Sequence, residues 1–443
     1  MKIETLYLPF MLKLCISLLL IVTTFYSNNL AAQPKTDSLL SGILNENPNS
    51  IVRQVLKNPE TYRLQIIYTQ INRDKANKPS FKNYYYNYDP NLYFNPASMV
   101  KMPLAFLALE KLNSINVRGV NKNTTILYDS SYPGQRSLYK DSTSANGLPS
   151  IAHFIKRAFL ISENDPYNRM YQFVGQQQIN RKLHAKGYAN TRITRQFMGF
   201  TEEQNRHTNA IRFLNEKGDL VYSQPPAYNT DSFDFSQKIL IGKGYLNRND
   251  SLINEPFDFT KHNNVPLKDF QQMLQSILFP ASVPGKQRFN LTKDDENFLL
   301  QYLSQYPSET NYPKYDTSLF YDSYVKFFFR DSTHKMPKHI RVFNKVGWAY
   351  GFLTDVAYVA DFKNNVEYML SATIYVNTDN ILNDDKYEFE SIAHPFFYVL
   401  GQTIYKYEQS RKRGYKPNLS KFKLQYEKRD PTDKRPAIKE VDN

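Results

Sequence analysis

Ser98-Met99-Val100-Lys101 runs directly into Met102-Pro103-Leu104-Ala105-Phe106-Leu107-Ala108-Leu109. Serine and lysine at this spacing on a helix lie one turn apart on the same face. The lysine amine can then reach the serine hydroxyl. Held neutral by burial or by a neighbouring cation, it can take the hydroxyl proton and leave a nucleophile, with no histidine involved. The apolar run has no clear polar face and predicts a helix buried on most sides. A serine at the N-terminus of such a helix sits at the positive end of the helix dipole, where an oxyanion is favoured. The plainer alternative is a serine cap followed by a snorkelling lysine.

The pattern recurs from Ser137, Ser323, Ser332 and Ser420, so context has to separate Ser98 from them. Two strand-rich segments, Thr61 to Ile71 and Phe81 to Tyr88, precede it. Asp74 to Pro79, polar and ending in proline, reads as the turn between them. A hairpin thus delivers the chain to Ser98 through Phe94-Asn95-Pro96-Ala97.

Composition narrows the chemistry. The chain has 443 residues, 41% of them apolar, enough for a sizeable core. Its net charge of +14 favours acidic partners, such as a polyanionic cell-envelope surface, but no nucleic-acid motif accompanies it. Cys15 is the only cysteine and lies in an N-terminal apolar segment. Without that segment there is no thiol, hence no disulfide, thiolate zinc site or cysteine nucleophile. The seven histidines are scattered, and Pro337 separates the closest pair, His334 and His339, which argues against a metal hydrolase.

Residues 1–32 have the layout of a secretory signal: Lys2 and Lys13, an apolar core from Leu14 to Phe25, and Leu30-Ala31-Ala32 as a small-residue cleavage site. The alternative is an uncleaved anchor, although the apolar run falls short of the ~20 residues of a spanning helix. Cleavage predicts a periplasmic or secreted protein. Helical spacing follows over residues 36–60. Beyond the Ser98 helix, Ser150 caps a stripe of Ile151, Phe154, Ile155, Ala158, Phe159 and Leu160. That helix ends in Ile161-Ser162-Glu163-Asn164-Asp165-Pro166, which places Ser162 and Asn164 at a helix-to-loop junction, able to face a cleft. Residues 207–262 and 281–338 are polar, aromatic and proline-dotted, and read as insertions flanking a helix from Val265 to Phe279. Ile340 to Val346, Leu353 to Phe362 and Val366 to Val376 predict three consecutive strands, with Lys345-Val346-Gly347 at the end of the first. A terminal helix spans Tyr387 to Tyr407, with Pro395 as a kink, and residues 411–443 read as a basic, disordered tail. The domain proper is therefore 33–410.

Ser98-x-x-Lys101, Ser162-Glu163-Asn164 and Lys345-Val346-Gly347, in this order, resemble the motifs of the penicillin-recognising serine hydrolases, and within them the class A β-lactamase-like branch, with its Ser-x-x-Lys, Ser-Asp-Asn and Lys-Thr/Ser-Gly. The hairpin before Ser98, the three strands with a closing helix, and Gly187 with Thr191-Arg192-Ile193 agree with it over roughly residues 36–407. The resemblance implies a mixed α/β (α+β) fold: an antiparallel sheet flanked by the terminal helices, an all-helical lobe, and a cleft between them. It implies a serine hydrolase without cofactor or metal, acting as a monomer on a small-molecule or peptide substrate. Ser98 would attack a carbonyl and Lys101 would help deprotonate it. Ser162 would pass a proton to the leaving nitrogen, and Asn164 would hold the substrate's amide side chain. Lys345 would supply positive charge. The N–H groups of Ser98 and Trp348, which follows Gly347, would form the oxyanion hole.

Three departures bear on substrate and turnover. Glu163 stands where the family has aspartate, at a largely structural position. Val346 replaces a hydroxyl residue that bonds the substrate carboxylate, with Thr354 as a candidate substitute. In Thr191-Arg192-Ile193-Thr194-Arg195-Gln196-Phe197, Phe197 occupies the place of the glutamate that activates water for deacylation. Glu202 and Glu203 follow shortly and are candidate replacements. A β-lactamase-type hydrolase, a cell-wall peptidase or transpeptidase acting on D-alanyl peptides, and a non-catalytic envelope-binding relative all remain open at this point.

Overall fold

A computed structural model describes residues 35–441. Residues 1–32, with the layout of a secretory signal and including Cys15, lie outside them. The first elements are two short helices, α1 (Ser38–Asn45) and α2 (Ser50–Lys57), the second capped by the Asn49 side chain, which accepts from the N–H groups of Ile51 and Val52. The hairpin β1 (Gln65–Arg73) and β2 (Pro79–Tyr86) follows, and a short turn then leads into α3 (Lys101–Ile115).

The helical lobe is built from α3, α4 (Ile151–Leu160), α5 (Asn164–Val174) and α6 (Gln176–Ala185). Ser150 caps α4 by accepting from the His153 N–H. Helix α5 starts at Asn164, so Pro166 sits in its first turn, where a missing N–H costs nothing.

The C-terminal strands are β3 (Ile340–Ala349), β4 (Phe352–Asp361) and β5 (Val366–Tyr375). They join the N-terminal hairpin in one antiparallel sheet of order β3-β4-β5-β1-β2, with β1 paired to β5 from Gln65–Thr373 to Gln70–Tyr368. Strands β4 and β5 are buried along their whole length because both faces of the sheet are covered. Alternate residues divide between the two faces. Ile66, Tyr68, Leu353 and Ala357 pack with α1, α2 and the terminal helix α7 (His394–Ser410). Ile67, Ile71, Val356 and Tyr358 pack toward the helical lobe. The implied two-lobed fold is therefore the one observed.

Three expectations are corrected. Residues 281–338 are not simply an insertion: the helix Lys293–Ser304 within them buries Leu299, Leu300 and Leu303 in the core shared with the helical lobe. Pro395 does not kink the terminal helix but lies in its first turn. Residues 411–441 are not a disordered tail. Phe422 is buried against Phe279, Phe343 and Tyr358, and Ile438 pairs with Tyr315. Many of the tail's cations are used internally: Arg411 and Arg413 engage the buried Glu408, and Arg435 stacks 3.6 Å over Tyr312. Isolated aromatic residues in a polar segment anchored it, a signal that average composition hides. Residues 207–262 carry short strands, of which Ala210–Leu214 and Leu220–Gln224 form a small sheet with Thr125–Asp129. Among the described residues no helix is long and apolar enough to cross a membrane.

Candidate active site

Ser98 stands on a tight turn, Ala97–Val100, immediately before α3, rather than in the helix itself. Ala97 takes φ of 43°, an uncommon value for a residue with a β-carbon. The Asn95 side chain holds it by accepting from the Ala97 N–H at 2.8 Å. Lys101 is the first residue of α3 and is fully buried. Its Nζ lies 2.7 Å from Ser98 Oγ and 2.7 Å from Asn164 Oδ1, and it donates to the carbonyl of Ser162. Ser162 takes φ of 72°, and Asn164 opens α5 two residues on. The junction after α4 therefore turns both polar groups toward the amine.

Burial holds the Lys101 ammonium well below the usual lysine range, and the charge of Lys345 pushes it in the same direction. A neutral amine carries two N–H groups and one lone pair. The Ser162 carbonyl and Asn164 Oδ1 are fixed acceptors and take the two N–H groups. In that form the lone pair is left for Ser98, whose hydroxyl would then donate to it. This is the geometry of a general base. The alternative of a snorkelling lysine is excluded, since the amine reaches inward.

Lys345 comes from β3 on the opposite lobe. Its Nζ donates to Ser162 Oγ at 2.8 Å and to the Val346 carbonyl at 2.7 Å. Ser162 thus bridges the two lysines, with Oγ also 3.4 Å from Lys101 Nζ. Burial pushes Lys345 down to about 7, with the nearby Asp355 opposing. The sequence reading passed over what lies beneath it. Asn344 donates to Asp355 at 2.8 Å and accepts from the buried Lys326 at 2.6 Å. Asp355 also accepts from the Phe327 N–H, and burial raises its carboxyl to about 7. One aspartate inside the otherwise apolar Phe352–Ala360 run was the available signal.

Gly347 and Trp348 complete the floor. A β-carbon on Gly347 would lie 2.5 Å from the Pro96 carbonyl and 2.9 Å from the Met99 nitrogen, so only glycine lets β3 approach the nucleophile's turn. Tyr350 and Gly351, both at positive φ, form a two-residue hairpin loop that makes Ala349 and Phe352 a hydrogen-bonded pair. By alternation, Trp348–Leu353 and Val346–Asp355 are non-hydrogen-bonded pairs. The Trp348 N–H and the Val346 carbonyl therefore point off the outer edge of β3, which is an edge strand, toward the Ser98 turn.

Ser98, Asn164, Phe197 and Trp348 line one cavity of about 410 Å³. Phe197 stacks on Tyr167 at 4.4 Å, and its ring centroid is 5.2 Å from Lys101 Nζ, so an aromatic ring fills the place assigned to it. Glu202 and Glu203 are not brought to Ser98. Glu202 pairs with Lys261 at 2.5 Å and Glu203 with His207 at 3.1 Å, both well exposed and outside the lining of the Ser98 cavity. Both begin a one-turn helix capped by Thr201, whose geometry turns their carboxylates to solvent. Thr354 does not substitute for the missing hydroxyl at 346. It is fully buried between β4 and β5, where its hydroxyl donates to Thr373 Oγ1 at 2.8 Å. Glu163 points away from the cavity and accepts from Arg157 and from Tyr315, consistent with a structural position.

Residues 51–216 match the family described as the β-lactamase enzyme family, a span that holds Ser98, Lys101, Ser162 and Asn164. Among solved structures, the chain is similar to the β-lactamase from Francisella tularensis at 14% identity and a TM-score of 0.45, over 80% of this chain and 97% of that one. It is also similar to the class A β-lactamase of the last common ancestor of Gram-negative bacteria, at 13% identity and a TM-score of 0.43, over 84% and 99%. The β-lactamase from Sphaerobacter thermophilus gives 12% and 0.42, over 82% and 96%. No curated protein matches the chain.

Proposed function

We propose that this β-lactamase-like serine hydrolase opens β-lactams or related amides through an acyl-enzyme at Ser98, and that it forms that acyl-enzyme faster than it releases it. One observation carries the reading: a fully buried lysine amine, its ammonium form disfavoured by burial and by the charge of Lys345, lies 2.7 Å from the Ser98 hydroxyl. Lys101 takes the Ser98 proton as Oγ bonds to the substrate carbonyl carbon. The N–H groups of Ser98 and Trp348 receive the oxyanion. As the carbonyl re-forms, the C–N bond breaks, and Ser162, bonded to Lys345, gives its proton to the leaving nitrogen and is reprotonated from the lysines. Asn164 commits Oδ1 to Lys101, so its Nδ2 is the group that donates to a substrate amide carbonyl.

A cell-wall D-Ala-D-Ala peptidase or transpeptidase is the second reading. Phe197 favours it: a ring where a water-activating carboxylate would stand lengthens the life of the acyl-enzyme. Intact-protein mass spectrometry after exposure to a penicillin and to a D-Ala-D-Ala peptide distinguishes the readings. A stable adduct on Ser98 that is lost in Ser98→Ala supports acyl transfer. Absence of any adduct or turnover with either reagent overturns both enzymatic readings in favour of a non-catalytic relative. The leader-like pattern of residues 1–32 supports export, and the net charge of +14 supports an anionic envelope as the setting.

A further inference from the structure

Arg195 lines the Ser98 cavity together with Phe197, Asn164 and Trp348. Its backbone is fixed: the N–H donates to Asn263 Oδ1 at 3.0 Å, and the carbonyl accepts from the Tyr167 hydroxyl at 2.7 Å. Like those of Arg192 and Arg206, which donate to backbone carbonyls, its guanidinium is not clamped on a carboxylate, whereas other arginines are. Arg157 is clamped on Glu163, Arg169 on Asp165, Arg181 on Asp231 and Arg212 on Asp129. Arg195 makes no ion pair among the described residues. Its side-chain partner is His262, whose Nε2 accepts from Nη1.

His262 is held in place by Phe257, Phe259 and Tyr350, with ring centroids 5.6, 4.9 and 6.1 Å away. Burial, reinforced by the charge of Arg195, pushes its imidazole down to about 3, so it is neutral and accepts without cancelling the arginine's charge. Arg195 and His262 also line a neighbouring cavity of about 250 Å³, which holds Arg206, Lys261, Glu202 and Asp258. There Lys261 is paired with Glu202, Arg206 donates to the carbonyls of Asn229 and Asp231, and Asp258 accepts from the Thr260 N–H. Arg195 is thus the guanidinium left without a counter-ion on the wall shared by both cavities, while the residue that would bond a substrate carboxylate on β3 is Val346. A planar guanidinium held by a neutral acceptor offers its remaining N–H groups as a fork suited to a carboxylate.

We infer that Arg195, oriented by His262, is an anion-binding subsite of the Ser98 cavity and the group that meets the carboxylate of an acyl donor there. The fate of the donor rests on the acyl-transfer reading above; the binding of the anion does not. Trp348, the only tryptophan, lines the same cavity and reports occupancy without chemistry. Phenylacetate should perturb its fluorescence saturably in the full chain and in Ser98→Ala, whereas phenylacetamide should not. Arg195→Ala should weaken phenylacetate binding about 10- to 100-fold, the size of a lost charged hydrogen-bonding partner, and Arg195→Lys should recover part of it. Equal binding of phenylacetate and phenylacetamide by the unmutated chain, or unchanged phenylacetate binding in Arg195→Ala, overturns the subsite. The first comparison needs no variant and stands even if Arg195→Ala does not fold. A kinetic arm separates the two claims. In Arg195→Ala, acylation by a penicillin should fall about 10- to 100-fold further than acylation by its methyl ester. Failure of both compounds to acylate Ser98 in the unmutated chain sinks the acyl-transfer reading, and the fluorescence comparison still decides the subsite.

Discussion

The Phe197 ring centroid lies 5.2 Å from Lys101 Nζ. An aromatic ring therefore forms part of the cavity wall beside the Lys101 amine, with Tyr167 stacked behind it. A carboxylate there would hold and deprotonate a water, whereas a benzene ring excludes one. General-base loss is worth about 10²–10⁴ in rate. Rapid mixing with a chromogenic β-lactam should therefore show a burst of about one equivalent of product followed by slow turnover. Phe197→Glu should raise the second phase. Linear kinetics without a burst, abolished by Glu202→Gln or Glu203→Gln, would show that the base lies elsewhere.

In the proposed reaction Lys101 acts through its lone pair, so charge alone does not replace it. Lys101→Arg retains a cation that does not deprotonate near neutral pH. Acylation of Ser98, followed by mass spectrometry, should fall about 10²-fold or more. Acylation within a few-fold of the unmutated rate would remove Lys101 from the role of base.

Lys345 titrates near pH 7 because burial disfavours its ammonium. The protonated, positively charged form exists below that pH and is lost above it. Acylation by an anionic donor should therefore decline as pH rises through about 7, and that by a neutral ester should decline less. Lys345→Arg keeps its charge and should flatten the alkaline limb for the anionic donor. Parallel profiles for the two donors would show that the charge of Lys345 does not act on the substrate.

Gly347→Ala tests the contact between the two lobes. Its β-carbon would meet backbone atoms of Pro96 and Met99, which cannot swing aside as a side chain can. Overpacking of this kind costs about 1–3 kcal/mol, read as a lowered midpoint of unfolding in urea. Acylation should fall as well, because this contact sets the Ser98 N–H against the Trp348 N–H of β3, the two donors proposed for the oxyanion. Normal acylation in a folded Gly347→Ala protein would mean that the register of β3 against the turn is not critical.

The core of the site was legible locally. Ser98 and Lys101 share one helical turn, and the apolar run from Met102 to Leu109 declares that the amine is buried. The alternation of Ile340 to Val346 and the largely apolar, β-prone runs that follow it to Tyr375 likewise declare the strands, because a buried ladder selects such residues. Whether three short motifs converge is another matter. Ser98, Ser162 and Lys345 lie on a turn, a helix junction and an edge strand, and only the docking of the sheet's edge against the helical lobe brings them together. Tertiary structure also decided that Glu202, Glu203 and Thr354 stand apart from the nucleophile, that Phe422 anchors the basic C-terminal stretch, and that Arg195 faces the cavity with a neutral histidine for a partner. Side-chain direction in loops and the pairing of distant charges depend on which surfaces meet. Sequence periodicity records burial within an element, but it carries no record of those meetings.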